Sequence, residues 1–233
     1  MAWNDIAWSG GVIVLLLSGY ALYRNRQIEW TSPWLNLLDG LIHLYLRFYQ
    51  RAIIEPIPLP AHGPALIVSN HVSGLDPLLL IAASPRPLRF IIAREQYERW
   101  YLKWVFKSAD AIPVDRDEHP ERAARLALAA LRKGEVVVLF PHGQIHLDDE
   151  PVQELKRGAF KLSLWTGAPI YPCRIDGVRG TGLIILSWFL RGQPRLRVAT
   201  PVLALADTQA RTYEYVRSMI ETVSSPPTEA KRS

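Results

Sequence analysis

Residues 1–54 and the rest of the chain carry different hydrophobic patterns. From Ile6 to Tyr23 the sequence IAWSGGVIVLLLSGYALY holds no charged residue, and Arg24 and Arg26 follow it. A spanning helix needs roughly 17–25 apolar residues, so the run predicts a short transmembrane helix over 6–23. Trp3, Trp8, Tyr20 and Tyr23 stand near its ends, where interfacial aromatics belong, and the two arginines assign the following chain to the cytoplasmic side. No Lys or Arg precedes the run and no A-x-A site follows it, which argues against a cleaved signal peptide. From Trp34 to Arg51 the pattern changes. Asn36, Asp39, His43, Arg47 and Gln50 recur at spacings of three and four, a narrow polar stripe on a helix whose other residues are mostly Leu, Ile, Tyr, Phe and Trp. The stripe is expected to face solvent, with the wide apolar face in a membrane interface or against the first helix.

After the linker EPIPLP (Glu55–Pro60) strand and helix patterns alternate. Strands are expected at Ala65–Ser69, Leu88–Ala93, Ala111–Val114, Val136–Phe140, Ile170–Ile175 and Arg195–Ala199. Helices are expected at Pro77–Ala83, Tyr97–Lys107, Pro120–Lys133, Lys156–Thr166 and Thr208–Val223. Gly134 stops the third of these helices as a C′ glycine does. The alternation predicts an α/β domain over 55–223, a largely parallel mixed sheet flanked by helices, behind an N-terminal two-helix membrane anchor. The tail 224–233 is short, polar and proline-containing, and is expected to be disordered. The apolar stretch TGLIILSWFLR between Gly180 and Gly192 has two readings: it lines an apolar pocket or dips into the membrane, or it is one more buried strand.

Composition narrows the partners. A formal charge of +5 over 233 residues suits anionic lipid head groups and is modest for a nucleic-acid binder. A single cysteine, Cys173, excludes an intrachain disulfide framework and fits a reducing compartment.

Candidate chemistry begins at NHVSGLDP, residues 70–77, just past the first strand of the domain. A spacing of five turns two helical side chains roughly 140° apart, so His71 and Asp76 meet only if a loop folds one onto the other. The plain alternative is that Asp76, followed by Pro77, caps a helix and His71 is a polar loop residue. Reactive residues of such sheets gather beyond the carboxyl ends of strands. Asp115-Arg116 and Pro141-His142-Gly143 occupy equivalent positions after later strands.

These segments occur as an ordered series: N-H-x-S-x-x-D (Asn70 to Asp76), V-D-R (Val114–Arg116), F-P-x-G (Phe140–Gly143), L-K-R-G-A-F (Leu155–Phe160) and P-I-Y-P (Pro169–Pro172). The series resembles the glycerolipid acyltransferases, the family of 1-acylglycerol-3-phosphate acyltransferase. The resemblance implies that His71 is the general base and Asp76 its orienting partner. It implies that Asn70, Ser73, Gly143 and the basic residues Arg116, Lys156 and Arg157 serve substrate binding, with His142 in the same segment. It further implies acyl-CoA or acyl-carrier protein as co-substrate, a lysolipid acceptor, a phospholipid membrane as partner, and no metal or other cofactor. The catalytic domain would face the cytoplasm at the inner membrane. The chemistry is coherent in its own right. An alcohol attacking a thioester must lose its proton, and an imidazole with a reference pKa of about 6.5 can take it. A carboxylate on the other ring nitrogen fixes the tautomer, and because the hydroxyl belongs to the substrate no serine nucleophile is needed.

One segment departs from the pattern. The family's third motif is usually F-P-E-G-T-R, and here it is F-P-H-G-Q-I, with His142 for the glutamate and Ile145 for the arginine. The acceptor is then either a phosphate held by Arg116, Lys156 and Arg157, or a lysolipid with another head group. Two rivals stay open. His142 and His146, with Asp148 and Asp149 behind them, are ligand types for a metal-dependent membrane hydrolase. A non-catalytic lipid-binding or scaffold protein is the other.

Overall fold

The structure, a computed structural model, describes residues 16–115, 120–147 and 154–221. Helix α1 is described over residues 16–24. Helix α2 (Pro33–Leu44) runs on into a π-helical turn, Tyr45–Gln50, closed by Arg51 in the left-handed region at φ 52°. Among the described residues no helix is long and apolar enough to cross a membrane, and residues 6–15 of the expected span lie outside them. The elements that follow are β1 (Ile53–Ile54), β2 (Ala65–Ser69), α3 (Asp76–Ala83), β3 (Leu88–Ala93), α4 (Arg94–Tyr97), α5 (Lys103–Ser108), β4 (Ile112–Val114), α6 (Pro120–Arg132), β5 (Val136–Leu139), α7 (Gly158–Thr166), β6 (Ile170–Asp176), α8 (Leu186–Phe189), β7 (Arg195–Val198) and α9 (Gln209–Ile220).

The strands form one sheet in the order β1-β7-β6-β2-β5-β3-β4. β6, β2, β5, β3 and β4 run parallel, and β7 reverses against β6. The central strands read ALIVS and VVVL because both of their faces are covered. Ala65, Ile67, Val136 and Val138 meet Ile42 of α2 and Leu79 and Leu80 of α3. The alternate residues Leu66, Val68, Val137 and Leu139 meet Ala127 of α6, Phe160 of α7 and Val216 and Ile220 of α9. The carboxyl ends of β2 and β5, neighbours in register from Ala65↔Val136 to Val68↔Leu139, therefore open onto the same rim.

Four expectations are corrected. The single helix over Tyr97–Lys107 is two short ones, α4 and α5, neither with a buried residue to hold it. The edge strand β1, paired in parallel with β7, was not assigned from the sequence. The stretch Leu183–Phe189 is no buried strand: it holds the short α8, and Phe189 is 68% exposed. Most telling, the polar stripe of α2 is turned inward. Asn36, Asp39 and Gln50 are buried, while Leu37, Leu41, Phe48 and Tyr49 are exposed. The polar side chains satisfy backbone that the two-helix hairpin leaves unpaired. Asp39 Oδ2 accepts from the N–H groups of Gln27 (2.8 Å) and Ile28 (3.3 Å), and Asn36 both accepts from Trp30 N (2.8 Å) and donates to Trp30 O. Arg47 is exposed, as the stripe reading had it.

Removing the Asp39 carboxylate strands the backbone N–H of buried Ile28 and that of exposed Gln27. Asp39→Ala should cost about 2 kcal/mol in a urea or thermal melt, whereas Leu41→Ala on the outer face should cost little. Equal losses would return the stripe to the surface.

Candidate active site

β2 ends at Ser69, and the next residues turn back across the end of the sheet. Asn70 makes the turn rigid: its Nδ2 donates to Ile175 O and its Oδ1 accepts from Ile175 N, both at 2.7 Å, continuing the β2–β6 ladder through a side chain. His71 then meets Asp76, with Nδ1 2.8 Å from Oδ2. The carboxylate is fully buried and the imidazole 20% exposed. Asp76 does not cap α3. Its Oδ2 reaches back to the N–H groups of Val72 (2.6 Å) and Ser73 (2.9 Å), and its Oδ1 accepts the Ser73 hydroxyl at 2.8 Å. In the tautomer in which His71 Nδ1 donates to Asp76 Oδ2, Nε2 keeps its lone pair.

Phe140, at the end of β5, stacks on the imidazole with ring centroids 4.1 Å apart and planes 16° from parallel. The His71 carbonyl accepts from His146 N at 2.8 Å, so the F-P-H-G loop is fastened to the H-x4-D loop. On the other side Gly74 has no room for a side chain: a Cβ there would lie 1.9 Å from Ile184 O. Lys156 is exposed, and its Nζ lies over Gly143, 2.6 Å from where a Cβ would stand. Gly143 has φ +78°, so the glycine serves both the turn and the lysine. Arg157 follows at the N-cap of α7, its guanidinium 5.9 Å from the Tyr213 ring centroid.

Not every expected residue faces this site. Asn70 and Ser73 are buried and spent on the turn, since the Ser73 hydroxyl also accepts from Leu75 N at 3.1 Å. His142 points away, with its side chain 2% exposed and Nε2 3.6 Å from Glu221 Oε1 beyond the end of α9. Arg116 lies outside the described residues, as do Asp148 and Asp149. The His142 and His146 rings stack at 4.6 Å, so their nitrogens do not converge on one point. Among the described residues no three His, Cys, Asp or Glu side chains gather as a metal would require. Phe140 and Glu221 were missed in the sequence. Phe140 belongs to a conspicuous F-P-x-G segment, but nothing local says that its ring covers His71.

Replacing His71 tests the pair without dismantling the turn, because Asp76 keeps its three other donors. His71→Ala should lower turnover by about 10²–10⁴-fold while the thermal midpoint stays within a few degrees. Near-normal turnover by the folded variant would remove His71 from the chemistry. A second expectation concerns pH. Burial and the neighbouring His146 hold the His142 imidazole below its ordinary value of 6.5, against the weaker pull of Glu221. The unfolded chain then binds that proton more readily, so stability falls as the pH drops below 6.5. Urea midpoints measured from pH 8 to pH 5 should show the decline, and His142→Gln should flatten it.

Comparison with known proteins places these loops in a wider set. A family model described as Acyltransferase matches residues 51–176, more than half of the chain. A probable 1-acyl-sn-glycerol-3-phosphate acyltransferase of Mycoplasma pneumoniae is 33% identical over 146 residues, 60% of this chain and 54% of that protein. The 1-acyl-sn-glycerol-3-phosphate acyltransferase of Bacillus subtilis is 26% identical over 145 residues, covering 62% and 69% of the two chains. This chain thus spans about half the length of the Mycoplasma relative and about two thirds of the Bacillus one. The crystal structure of the 1-acyl-sn-glycerophosphate acyltransferase of Thermotoga maritima shares the fold, with a TM-score of 0.62 and 20% identity over 81% of this chain and 78% of that one. The match over 51–176 takes in the His71–Asp76 turn and the F-P-H-G loop together, and the chain belongs to the acyltransferase family.

Proposed function

We propose that this protein is a membrane-bound acyltransferase that moves a fatty acyl group from acyl-CoA or acyl-carrier protein to the hydroxyl of a lysolipid, with 1-acyl-sn-glycerol-3-phosphate as acceptor and phosphatidate as product. The observation that carries the reading is the His71–Asp76 couple at the open end of β2. In the step it supports, Nε2 of His71 takes the proton of the acceptor hydroxyl as its oxygen attacks the thioester carbonyl. The C–S bond breaks, and the imidazolium returns the proton to the departing thiolate. Asp76 steadies the imidazolium between the two transfers. The buried Ser73 hydroxyl, held between Asp76 and Leu75, takes no part as a nucleophile.

The acceptor phosphate is assigned to Lys156 and Arg157, with Arg116 contributing from outside the described residues. His142 supplies no charge there at neutral pH, since its pKa is lowered and its ring faces Glu221. The apolar outer face of α2 and the uncharged run 6–23 support a membrane anchor, and Arg24 and Arg26 support a cytoplasmic catalytic domain. The presence of Ile145 in place of arginine favours one second reading, a lysolipid whose head group is not a phosphate monoester.

Kinetics with two acceptors separate the readings. Lys156→Ala should raise the KM for lysophosphatidate about thirtyfold, the loss of one charge-assisted contact of about 2 kcal/mol. Ile145→Arg should lower that KM or leave it unchanged. Wild-type protein that ignores lysophosphatidate and acylates a zwitterionic lysolipid would establish the second reading.

A further inference from the structure

We infer that residues 183–189 form a second bilayer-contacting crest, separate from the N-terminal anchor, that seats on anionic phospholipid and carries the catalytic loop to the membrane surface. The inference rests on the membrane part of the reading above and not on acyl transfer. Leu183, Ile184, Ile185, Leu186 and Phe189 are 41–68% exposed, and Phe48 and Tyr49 beside them are 64% and 41% exposed. Contiguous apolar surface of this kind marks an interaction site.

The backbone of the crest identifies the medium. A loop in water leaves its carbonyls to water, whereas a loop in hydrocarbon must have them satisfied by protein. Here the protein does so for seven carbonyls between Leu183 and Leu190. Leu183 O accepts from Gly74 N, Ile184 O from the Ser187 hydroxyl, Ile185 O from Trp188 N and Leu186 O from Leu190 N. At the end of α8, Trp188 O accepts from the Tyr45 hydroxyl (2.5 Å), Phe189 O from the Tyr49 hydroxyl (2.6 Å) and Leu190 O from Gln50 Nε2 (3.3 Å). Those last three donors come from the π-helical turn, and Gln50 completes the strap by accepting from Gly192 N at 2.9 Å.

The charges around the crest select the head groups. Exposed Arg47, Arg51, Arg179 and Arg191 flank it, and no Asp or Glu occurs from Gly177 to Ala206. A second copy of this chain, docked face to face, would set these arginines against their equivalents; an anionic bilayer neutralises them. The crest is also bonded to the catalytic turn, through Gly182 N to Val72 O (2.8 Å) and Trp188 Nε1 to Gly74 O (2.8 Å). A lipid acceptor thereby reaches His71 from the bilayer side.

The test is a depth measurement on the full-length protein in phosphatidylcholine–phosphatidylglycerol vesicles. Phe189→Cys can be labelled selectively with an environment-sensitive fluorophore, because Cys173 is buried and burial pushes its thiol well above the usual range. The label should be quenched by acyl-chain-borne nitroxide and shielded from iodide, while a label at Arg132→Cys on α6 should show the reverse. Quenching of the Phe189→Cys label by iodide overturns the inference, and so does emission that rises on dilution with unlabelled protein, since a second copy would then cover the crest. In a separate arm, Ile185→Asp and Phe189→Asp should slow turnover of a vesicle-borne acceptor on the order of tenfold and leave turnover of a water-soluble short-chain pair unchanged. Equal loss on both acceptors would overturn it. Because the depth measurement needs no turnover, a buried label on an inert protein would support the crest while refuting acyl transfer.

Discussion

The Asp76 carboxylate is held wholly out of water by one imidazole, two backbone N–H groups and one hydroxyl, and the turn from Asn70 onward is shaped around it. A buried carboxylate needs protein donors in place of water, and these four shape the turn. Val72 and Ser73 must present their N–H groups inward, which throws the His71 ring across the end of β2. Asn70 must hold the strand end against β6. Gly74 must let the backbone of Ile184 approach. The geometry that secures the charge also aims the imidazole.

Much of this was legible because the signals are local. β2 and β3 are apolar runs with both ends marked, and they appear at the expected residues. The His71–Asp76 pairing could be posed as a question from a spacing of five and a following proline. The answer needed the loop. The polar stripe of α2 misled for a physical reason: periodicity reveals that a helix has two faces but not which one the protein keeps. In water the apolar face turns inward. Here the inward face carries Asn36, Asp39 and Gln50 beside Leu35, Ile42 and Leu46, because the hairpin and the 183–192 segment leave backbone groups that need partners, while Leu37, Leu41, Phe48 and Tyr49 stay outside.

The altered third motif was harder to read. Histidines four apart invite a metal reading, and a motif position invites a substrate-binding one. His142 instead stacks on His146 and faces Glu221, almost eighty residues later at the far side of α9. No local pattern announces such a contact. Two other residues of the motif sit at the His71 turn: Phe140 backs the imidazole, and Gly143 yields space to Lys156. His142 and Ile145 therefore leave the His71–Asp76 pair and its Phe140 backing undisturbed.

The central claim is that His71, oriented by Asp76, activates the acceptor hydroxyl directly, with no acyl group ever resting on the protein. Initial rates measured while both the acyl thioester and lysophosphatidate are varied test it in one data set. Direct transfer requires both substrates to be bound together and predicts double-reciprocal lines that intersect. Parallel lines, the mark of an acyl-protein intermediate formed before the acceptor binds, would contradict it.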